Sequence, residues 1–175
     1  QLMINISAIN QTKAFARQDG ALLALLWISA FAFTIFTPQS SIGGLLALST
    51  PFFVAWRMIS FKNYALEGNM SYKRGLVYCM YTFFYSSLIF GVAQFIYFRF
   101  LDHGKFMGTI STMMMTMQAT YKQNGLETKE INDAMTLINT MTPLELSFMI
   151  MMYNMVIGWV CSIFIAALTK LKTKK

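Results

Sequence analysis

Four long apolar runs constrain this chain most, and they cover residues 21–37, 42–59, 75–101 and 143–169. A helix of about 20 apolar residues crosses the roughly 30 Å hydrocarbon core of a bilayer. Charged side chains make up only 12% of the sequence, about half of the roughly 25% typical of a soluble domain. The runs therefore predict an all-α integral membrane protein with four transmembrane helices in a single membrane domain, residues 1–175.

Basic residues gather on one side of these runs, which predicts an orientation. Of the fourteen lysines and arginines, four lie at the outer end of the third run or on the segment that follows it, and the other ten flank the opposite ends of the runs. The ten are Lys13, Arg17, Arg57, Lys62, Lys73, Arg74, Lys170, Lys172, Lys174 and Lys175. Short basic loops stay in the cytoplasm, so the N-terminus and the C-terminus are both predicted to be cytoplasmic. No basic stripe is present, which argues against nucleic-acid binding.

Four of these bases have a second interpretation, because they surround the loop between the second and third runs. Arg57, Lys62, Lys73 and Arg74 are candidates for contacts with the headgroups of anionic membrane lipids. The orientation rule explains the same residues without any ligand. It is therefore the preferred interpretation.

Small residues recur at four-residue steps in the third and fourth runs. Ser87 and Gly91 form one such pair, and Gly158, Ser162 and Ala166 form a longer stripe. Small side chains allow the backbones of two membrane helices to approach closely. These five residues are therefore predicted to lie in contacts between helices or with a partner.

Two amides interrupt the same runs, Gln94 in the third and Asn154 in the fourth. An amide within hydrocarbon normally forms a hydrogen bond with a neighbouring helix, so the two are predicted partners if their helices pack antiparallel. Pro51 should kink the second run. An alternative places Gln94 and Asn154 in the pathway of a small homo-oligomeric transporter or channel. Transporters usually place ionisable groups on that pathway, and the runs have none at mid-depth.

The outer segment, residues 102–142, has a Met-rich pattern with apolar residues three and four positions apart. It predicts two short amphipathic helices that lie on the membrane or on another protein. Met113, Met114 and Met117 are candidates for contact with a partner. A minor alternative is Cu(I) binding by these thioethers with the nearby His103. No Cys joins the cluster, so packing is the preferred interpretation.

The start of the chain and the start of the last run carry the remaining acids of interest. Residues 7–20 are interpreted as a solvated segment that ends at Gly20, with an amphipathic surface helix as the alternative. Asp19 belongs to that segment. Thr142 and Glu145 flank Pro143 in a pattern that predicts a capping box at the start of the fourth helix.

No catalytic pattern occurs in the sequence. It contains no nucleophile elbow, phosphate-binding loop, zinc-protease motif or dinucleotide fingerprint. The one histidine and seven acids are too scattered to predict an acid–base site. Cys79 and Cys161 lie apart within apolar runs, where a thiol usually serves as a small hydrophobe. The chain is predicted to have no catalytic residues, no cofactor and no metal site, and hence not to be an enzyme.

Several short motifs resemble a known family. They are Ala16-Arg17-Gln18-Asp19-Gly20, Thr50-Pro51-Phe52-Phe53-Val54-Ala55, Phe83-Phe84-Tyr85, Ala93-Gln94-Phe95-Ile96-Tyr97-Phe98, Phe100-Leu101-Asp102 and Thr142-Pro143. Together they resemble domain-of-unknown-function family 4199, small four-span membrane proteins found mainly in the Bacteroidota. The resemblance covers nearly the whole chain. It implies a bacterial inner-membrane location, no known enzyme activity, and a gene that is often encoded beside that of a polyprenyl-phosphate glycosyltransferase, which suggests an accessory subunit.

The function expected from these features is that of a non-catalytic accessory or scaffold subunit. Its partners would be membrane lipids and another inner-membrane protein, with the glycosyltransferase as the class that the resemblance implies. The homo-oligomeric transporter and the Cu(I) protein remain as alternatives. A different membrane protein as the partner would favour the accessory subunit, and a partner that is another copy of this chain would favour the transporter.

Overall fold

The regular elements of the described chain are all helical. The computed structural model describes residues 6–171, which contain seven α-helices. They are α1 (Ile6–Phe36), α2 (Ile42–Leu48), α3 (Thr50–Ala65), α4 (Tyr72–Ile96), α5 (Lys105–Gln123), α6 (Lys129–Thr140) and α7 (Pro143–Ala166). A π-helical turn (Tyr97–Leu101) extends α4, and a 3₁₀ turn (Ala167–Lys170) extends α7. The predicted all-α class is confirmed.

Three of the described helices are long and apolar enough to cross a membrane. These are α1, α4 with its π turn, and α7 with its 3₁₀ turn. The pair α2 and α3 passes the same test together, with a bend of 41° at the break between them. Pro51 occupies the second position of α3, where its missing N–H costs no helical hydrogen bond. The described chain thus has three candidate spans, or four if the bent pair is one span.

Helices α2 and α3 together form one antiparallel partner of α1. Gly43 of α2 packs so closely on α1 that an added Cβ would lie 2.4 Å from Thr34 Oγ1 and 2.8 Å from the Ala30 carbonyl oxygen. Further along, the indole N–H of Trp27 donates to Thr50 Oγ1 at 2.9 Å. The residue numbers fall on α1 as they rise on the other two helices. The bend therefore does not interrupt the pairing with α1.

Helix α1 continues through Gly20, so the prediction of a break there is wrong. The close approach of α4 explains this glycine, because an added Cβ would lie 2.8 Å from Tyr85 Cβ and 2.9 Å from the Thr82 carbonyl oxygen. Residues 7–20 and the predicted first run form one helix of 31 residues. The early turns of α1 are buried at small and polar positions, which are Thr12, Ala16, Asp19 and Gly20.

Helix α4 lies between α1 and α7 and contacts both. On the α7 side, an added Cβ at Gly158 would lie 2.4 Å from the ring of Phe83. An added Cβ at Gly91 would lie 3.2 Å from the side chain of Met151. These two contacts set the antiparallel register of α4 and α7. Glycine is required at Gly158, since a larger residue would displace the Phe83 ring.

A buried acid turns the chain from α4 into α5. The π turn ends where the Asp102 N–H donates to the Tyr97 carbonyl at 2.9 Å. The Asp102 carboxylate then accepts from the N–H groups of Gly104 at 3.1 Å and Phe106 at 2.8 Å. Gly104 has φ of +84°, a left-handed conformation that favours glycine. Asp102 thus caps the first turn of α5.

Helices α5 and α6 form an outer pair that buries little within the chain. No residue of α5 is buried, and Ile131 is the buried residue of α6. Gln118 of α5 donates from its amide to the Asn132 side chain of α6. The ring of Phe106 lies 5.9 Å from that of Phe31 and joins the pair to α1. Most of the surface of this pair therefore remains available.

The capping box predicted at the start of α7 is confirmed. The Glu145 N–H donates to Thr142 Oγ1 at 3.3 Å, and the Thr142 N–H donates to Glu145 Oε2 at 2.8 Å. Pro143 follows as the first helical residue. This reciprocal bonding satisfies two backbone donors that the helix would otherwise leave free.

Candidate functional site

Two regions of the bundle are candidate sites, and the first is a charged cluster of Asp19, Arg57 and Tyr78. The Asp19 side chain is only 1% exposed. Its Oδ1 accepts from Arg57 Nε at 2.7 Å and lies 2.6 Å from Arg57 Nη2. Its Oδ2 accepts from the hydroxyl of Tyr78. Both carboxylate oxygens are thus bonded, by residues from α3 and α4.

The charged cluster borders a cavity. Its guanidinium stacks over the ring of Trp56, 5.4 Å from the centroid. Asp19 and Arg57 line a cavity of about 480 Å³, together with Phe15, Trp56, Ser60, Phe61 and Tyr64. The carboxylate is opposite in charge to its nearest neighbour and hydrogen-bonded to a phenol, so its charge is compensated. The cluster ties α1, α3 and α4 together.

Sequence reasoning missed the charged cluster because it assigned Asp19 to a solvated segment. A signal was present in the spacing of Thr12, Ala16 and Asp19, which are small or polar residues four and three positions apart. Such spacing places them on one helix face. For its partner, Arg57, the sequence favours an orientation signal, with a headgroup contact as the alternative. Only the packing of α3 on α1 shows that the two belong together.

Lys62, another headgroup candidate, is buried within the chain. It is 4% exposed, and its ammonium donates to the carbonyl oxygens of Thr169 at 3.0 Å and Leu171 at 2.6 Å. Carbonyls at the end of a helix lack intrahelical donors, and a cation there is favoured by the helix dipole. Lys62 therefore binds the end of α7.

The other two headgroup candidates differ from each other. Arg74 donates to Thr12 Oγ1 at 3.1 Å and to Gln11 Oε1 at 2.6 Å, so it joins the start of α4 to α1. Lys73, its neighbour, is exposed. Of the four candidates, Arg57, Lys62 and Arg74 therefore already have partners within the described chain.

The second region is a central cavity of about 570 Å³, bounded by α1, α2, α4 and α7, the first turn of α3 and one side chain of α5. Its lining residues are Trp27, Ala30, Phe31, Thr34, Gly43, Gly44, Ala47, Leu48, Thr50, Pro51, Phe83, Phe90, Gln94, Phe106, Ile150, Asn154, Ile157, Gly158 and Cys161. Neither an acid nor a base occurs in this lining. The polar side-chain groups of the lining residues are hydroxyls, amides, a thiol and the indole N–H of Trp27.

Gln94 is the most unusual member of the lining. Its side chain is 3% exposed, and within residues 6–171 its Oε1 has no hydrogen-bond donor. Buried polar atoms in proteins are usually bonded. Two other polar groups of the lining have bonds of their own, since the Thr34 hydroxyl donates to the Ala30 carbonyl and Thr50 Oγ1 accepts from Trp27.

Gln94 and Asn154 line the same cavity but do not form the predicted hydrogen bond. The register of α4 and α7, with Gly91 beside Met151 and Phe83 beside Gly158, separates them. It places Gln94 about six residues, or roughly 9 Å of helix rise, from the level of Asn154. The side-chain amides of Gln94 and Asn154 therefore lie at different levels of the cavity wall.

The predicted packing residues lie in α4 and α7. Ser162 and Ala166 are fully buried in α7, and Gly158 faces Phe83. Ser87 is buried in α4, and its Oγ has no partner in the described part of the chain. The packing of Gly91 on Met151 completes the set. The small residues thus lie where a larger side chain would find no room.

The methionine cluster lies on the outer pair. Met113 and Met117 are about half exposed, and Met114 is partly buried. His103 precedes α5 in a left-handed conformation, with φ of +45°. Across residues 6–171 there is no group of three or more His, Cys, Asp and Glu side chains that could hold a metal ion. Met113 and Met117 therefore belong to an apolar surface that the described part of the chain leaves partly uncovered.

Comparison with known proteins identifies one family. The sequence model described as "Protein of unknown function (DUF4199)" matches residues 18–170. The matched region contains the charged cluster and the whole lining of the central cavity. No curated protein and no solved structure matches the chain.

Proposed function

We propose, starting from the fact that this chain belongs to the DUF4199 family of proteins of unknown function, that it is a non-catalytic subunit of a membrane complex. In this proposal α1, the α2–α3 pair, α4 and α7 are four spans of a bacterial inner membrane. Both ends of the chain face the cytoplasm, as the distribution of basic residues favours. The outer pair docks on a second membrane protein.

The use of the ionisable side chains supports a non-catalytic role. Five of those carried by the bundle helices are bonded within the chain, namely Asp19, Arg57, Lys62, Arg74 and Glu145. A general acid or base needs an ionisable group that can reach a substrate. These groups instead connect helices or cap them.

The outer pair supplies the surface for a partner. The α5 stripe carries Met113 and Met117, and Leu126 and Leu137 are exposed nearby. From α5 to the end of α6, connecting loop included, three lysines and three acids occur, so this segment has no net charge. Helices that bind a membrane surface are usually rich in Lys and Arg. An apolar stripe without net charge therefore favours a protein partner over the lipid surface.

The family resemblance suggests the class of that partner. Members of the family are often encoded beside a polyprenyl-phosphate glycosyltransferase, which makes an inner-membrane enzyme of this class the proposed partner. An accessory subunit would hold such an enzyme at the membrane or position it beside its lipid-linked substrate.

Purification in a mild detergent from native membranes tests the proposal. The wild-type chain should elute with one stoichiometric membrane protein, which mass spectrometry would identify. The variant Met113→Ser/Met117→Ser should lose that protein. Met115→Ser is the matched control, because Met115 is equally exposed but faces the other side of α5. Elution of the chain alone would contradict the proposal.

A homo-oligomeric transporter or channel is the second candidate, and the central cavity favours it. Gln94 and Asn154 would then contact the transported solute. The chain should elute alone as a defined oligomer. Flux in reconstituted vesicles should fall in Gln94→Leu and Asn154→Leu, and unchanged flux would count against this function.

A further inference from the structure

The central cavity has the dimensions and the lining of a ligand site. Its volume of about 570 Å³ lies within the range of about 300–1,000 Å³ that is usual for small-molecule pockets. Aromatic rings form much of its wall, including those of Trp27, Phe31 and Phe90. Such a wall favours an apolar chain.

The cavity opens to the outside of the bundle. Leu48 on the α2 side and Ile157 on the α7 side are 72% and 49% exposed, respectively. Gly44 leaves further space, because an added Cβ there would meet no atom within 4 Å. In a membrane, this opening would face lipid, so a lipid could enter from the side without passing through water.

The lining also limits the charge of a ligand. It contains no acid and no base in the described chain. A charged headgroup placed there would lose its hydration without gaining a counter-charge. The occupant must therefore be uncharged where it meets the cavity wall.

The unbonded Oε1 of Gln94 specifies the polar group of that occupant. A carbonyl oxygen accepts hydrogen bonds, so its partner must carry an O–H or N–H. We propose that the central cavity binds an uncharged lipid, whose apolar chain packs on the aromatic wall and whose hydroxyl donates to Gln94 Oε1. Diacylglycerols and long-chain alcohols share this chemistry. This inference goes beyond the proposed subunit role and does not depend on any partner protein.

Photolabelling of the purified full-length chain in lipid nanodiscs tests the inference. The probes are a photoreactive diacylglycerol, a photoreactive hexadecanol and, as the charged comparison, a photoreactive phosphatidylglycerol. One or both hydroxyl lipids should label peptides that line the cavity, and the stronger of the two identifies the source. Equal labelling by phosphatidylglycerol would overturn the proposal.

Two variants attack the site in different ways. Gln94→Leu removes the hydrogen-bond acceptor and keeps a side chain of similar volume. Labelling should fall about five- to tenfold, which is the change in affinity expected from the loss of one hydrogen bond. Gly44→Phe adds a ring at the open wall and should also reduce labelling. Gln118→Leu on α5 is the matched control and should label as the wild type does. Wild-type labelling in Gln94→Leu would show that the amide binds no lipid.

The native cysteines supply a readout on the unmodified chain. Cys161 lines the cavity and is partly exposed, whereas Cys79 is buried. Bound diacylglycerol or hexadecanol should slow alkylation of Cys161 by a small maleimide, and Cys79 should remain unreactive. An unchanged rate at Cys161 with both lipids would contradict the proposal, even if both variants failed to fold.

Discussion

The charged cluster and the central cavity both bury polar groups between helices, but they treat them in opposite ways. Asp19 has donors on both carboxylate oxygens, from α3 and from α4. Gln94, which is almost as deeply buried, has an oxygen without any donor in the described chain. The charged cluster supplies donors for both oxygens of its carboxylate, whereas the central cavity leaves the Gln94 oxygen without a hydrogen-bond donor. The difference separates a structural connection from a binding site.

The surroundings of the two regions fit this difference. The charged cluster brings together three helices around one carboxylate, so any movement among them would break a charged bond. The cavity is walled largely by aromatic rings, and its lining contains no acid and no base in the described chain. We therefore expect substitutions in the charged cluster to lower stability and those at the cavity to change binding.

The largest effect should come from Arg57→Gln. This change leaves the buried Asp19 carboxylate without its counter-charge, which should lower the free energy of unfolding by about 3–5 kcal/mol. The thermal midpoint in detergent would measure the loss. Arg17→Gln, at an exposed arginine of the same basic face, should change stability little. Equal midpoints for the two variants would refute a structural role for the charged cluster.

Tyr78→Phe should have the next largest effect. It removes only the hydroxyl that donates to Asp19 Oδ2, and a hydrogen bond to a charged group contributes about 1.5–3 kcal/mol. The ring and its stacking on Phe61 remain, with centroids 5.3 Å apart. Unfolding of this variant beside the wild type would test the expectation. An unchanged midpoint would mean that Arg57 alone compensates Asp19.

Two adjacent glycines test how tightly the cavity wall is built. Gly43→Ala should destabilise the fold by about 1–3 kcal/mol, because its Cβ would collide with Thr34 and the Ala30 backbone. Gly44→Ala meets no atom and should be neutral or stabilise α2 by up to about 1 kcal/mol. Thermal midpoints of the two variants provide the comparison. A lower thermal midpoint for Gly44→Ala than for Gly43→Ala would show that α2 does not contact α1 through Gly43.

The smallest effect should be a gain in stability from Gln94→Leu. Measured without added lipid, the variant should be more stable by about 1 kcal/mol, since it no longer buries an unbonded oxygen. Added diacylglycerol or hexadecanol should raise the wild-type midpoint more than that of the variant. A clear loss of stability would indicate that Gln94 holds the helices together, as Asp19 does.

The elements of this fold that depend on local signals could be predicted from the sequence. The capping box of Thr142 and Glu145 depends on only four residues. The bend near Pro51 likewise depends on that residue and its neighbours, whichever helix packs against them. The apolar runs likewise indicate the helices. Each of these features follows from neighbouring residues and needs no knowledge of the tertiary contacts.

The charged cluster and the cavity could not be predicted, because both depend on how one helix slides along another. Asp19 appears solvated until α3 brings Arg57 beside it. Gln94 and Asn154 appear to be partners until the contact of Gly91 with Met151 sets the register. Gly20 resembles a helix stop, yet it is where α4 approaches. A shift of one turn would change each of these pairings without altering the apolar pattern.

The bond from Lys62 to the end of α7 has a consequence for the order of assembly. Asp19 and Arg57 are 38 residues apart, so they can pair once the ribosome has delivered α3. Lys62 and Leu171 are 109 residues apart. The Lys62 ammonium can therefore bond to the Leu171 carbonyl only after nearly all of the described chain has been synthesised. Until α7 has been synthesised, the Lys62 ammonium lacks both of these acceptors. The bonds of Lys62 can therefore form only after the Asp19–Arg57 pair is possible, which makes this lysine a probe for the docking of α7 on α3.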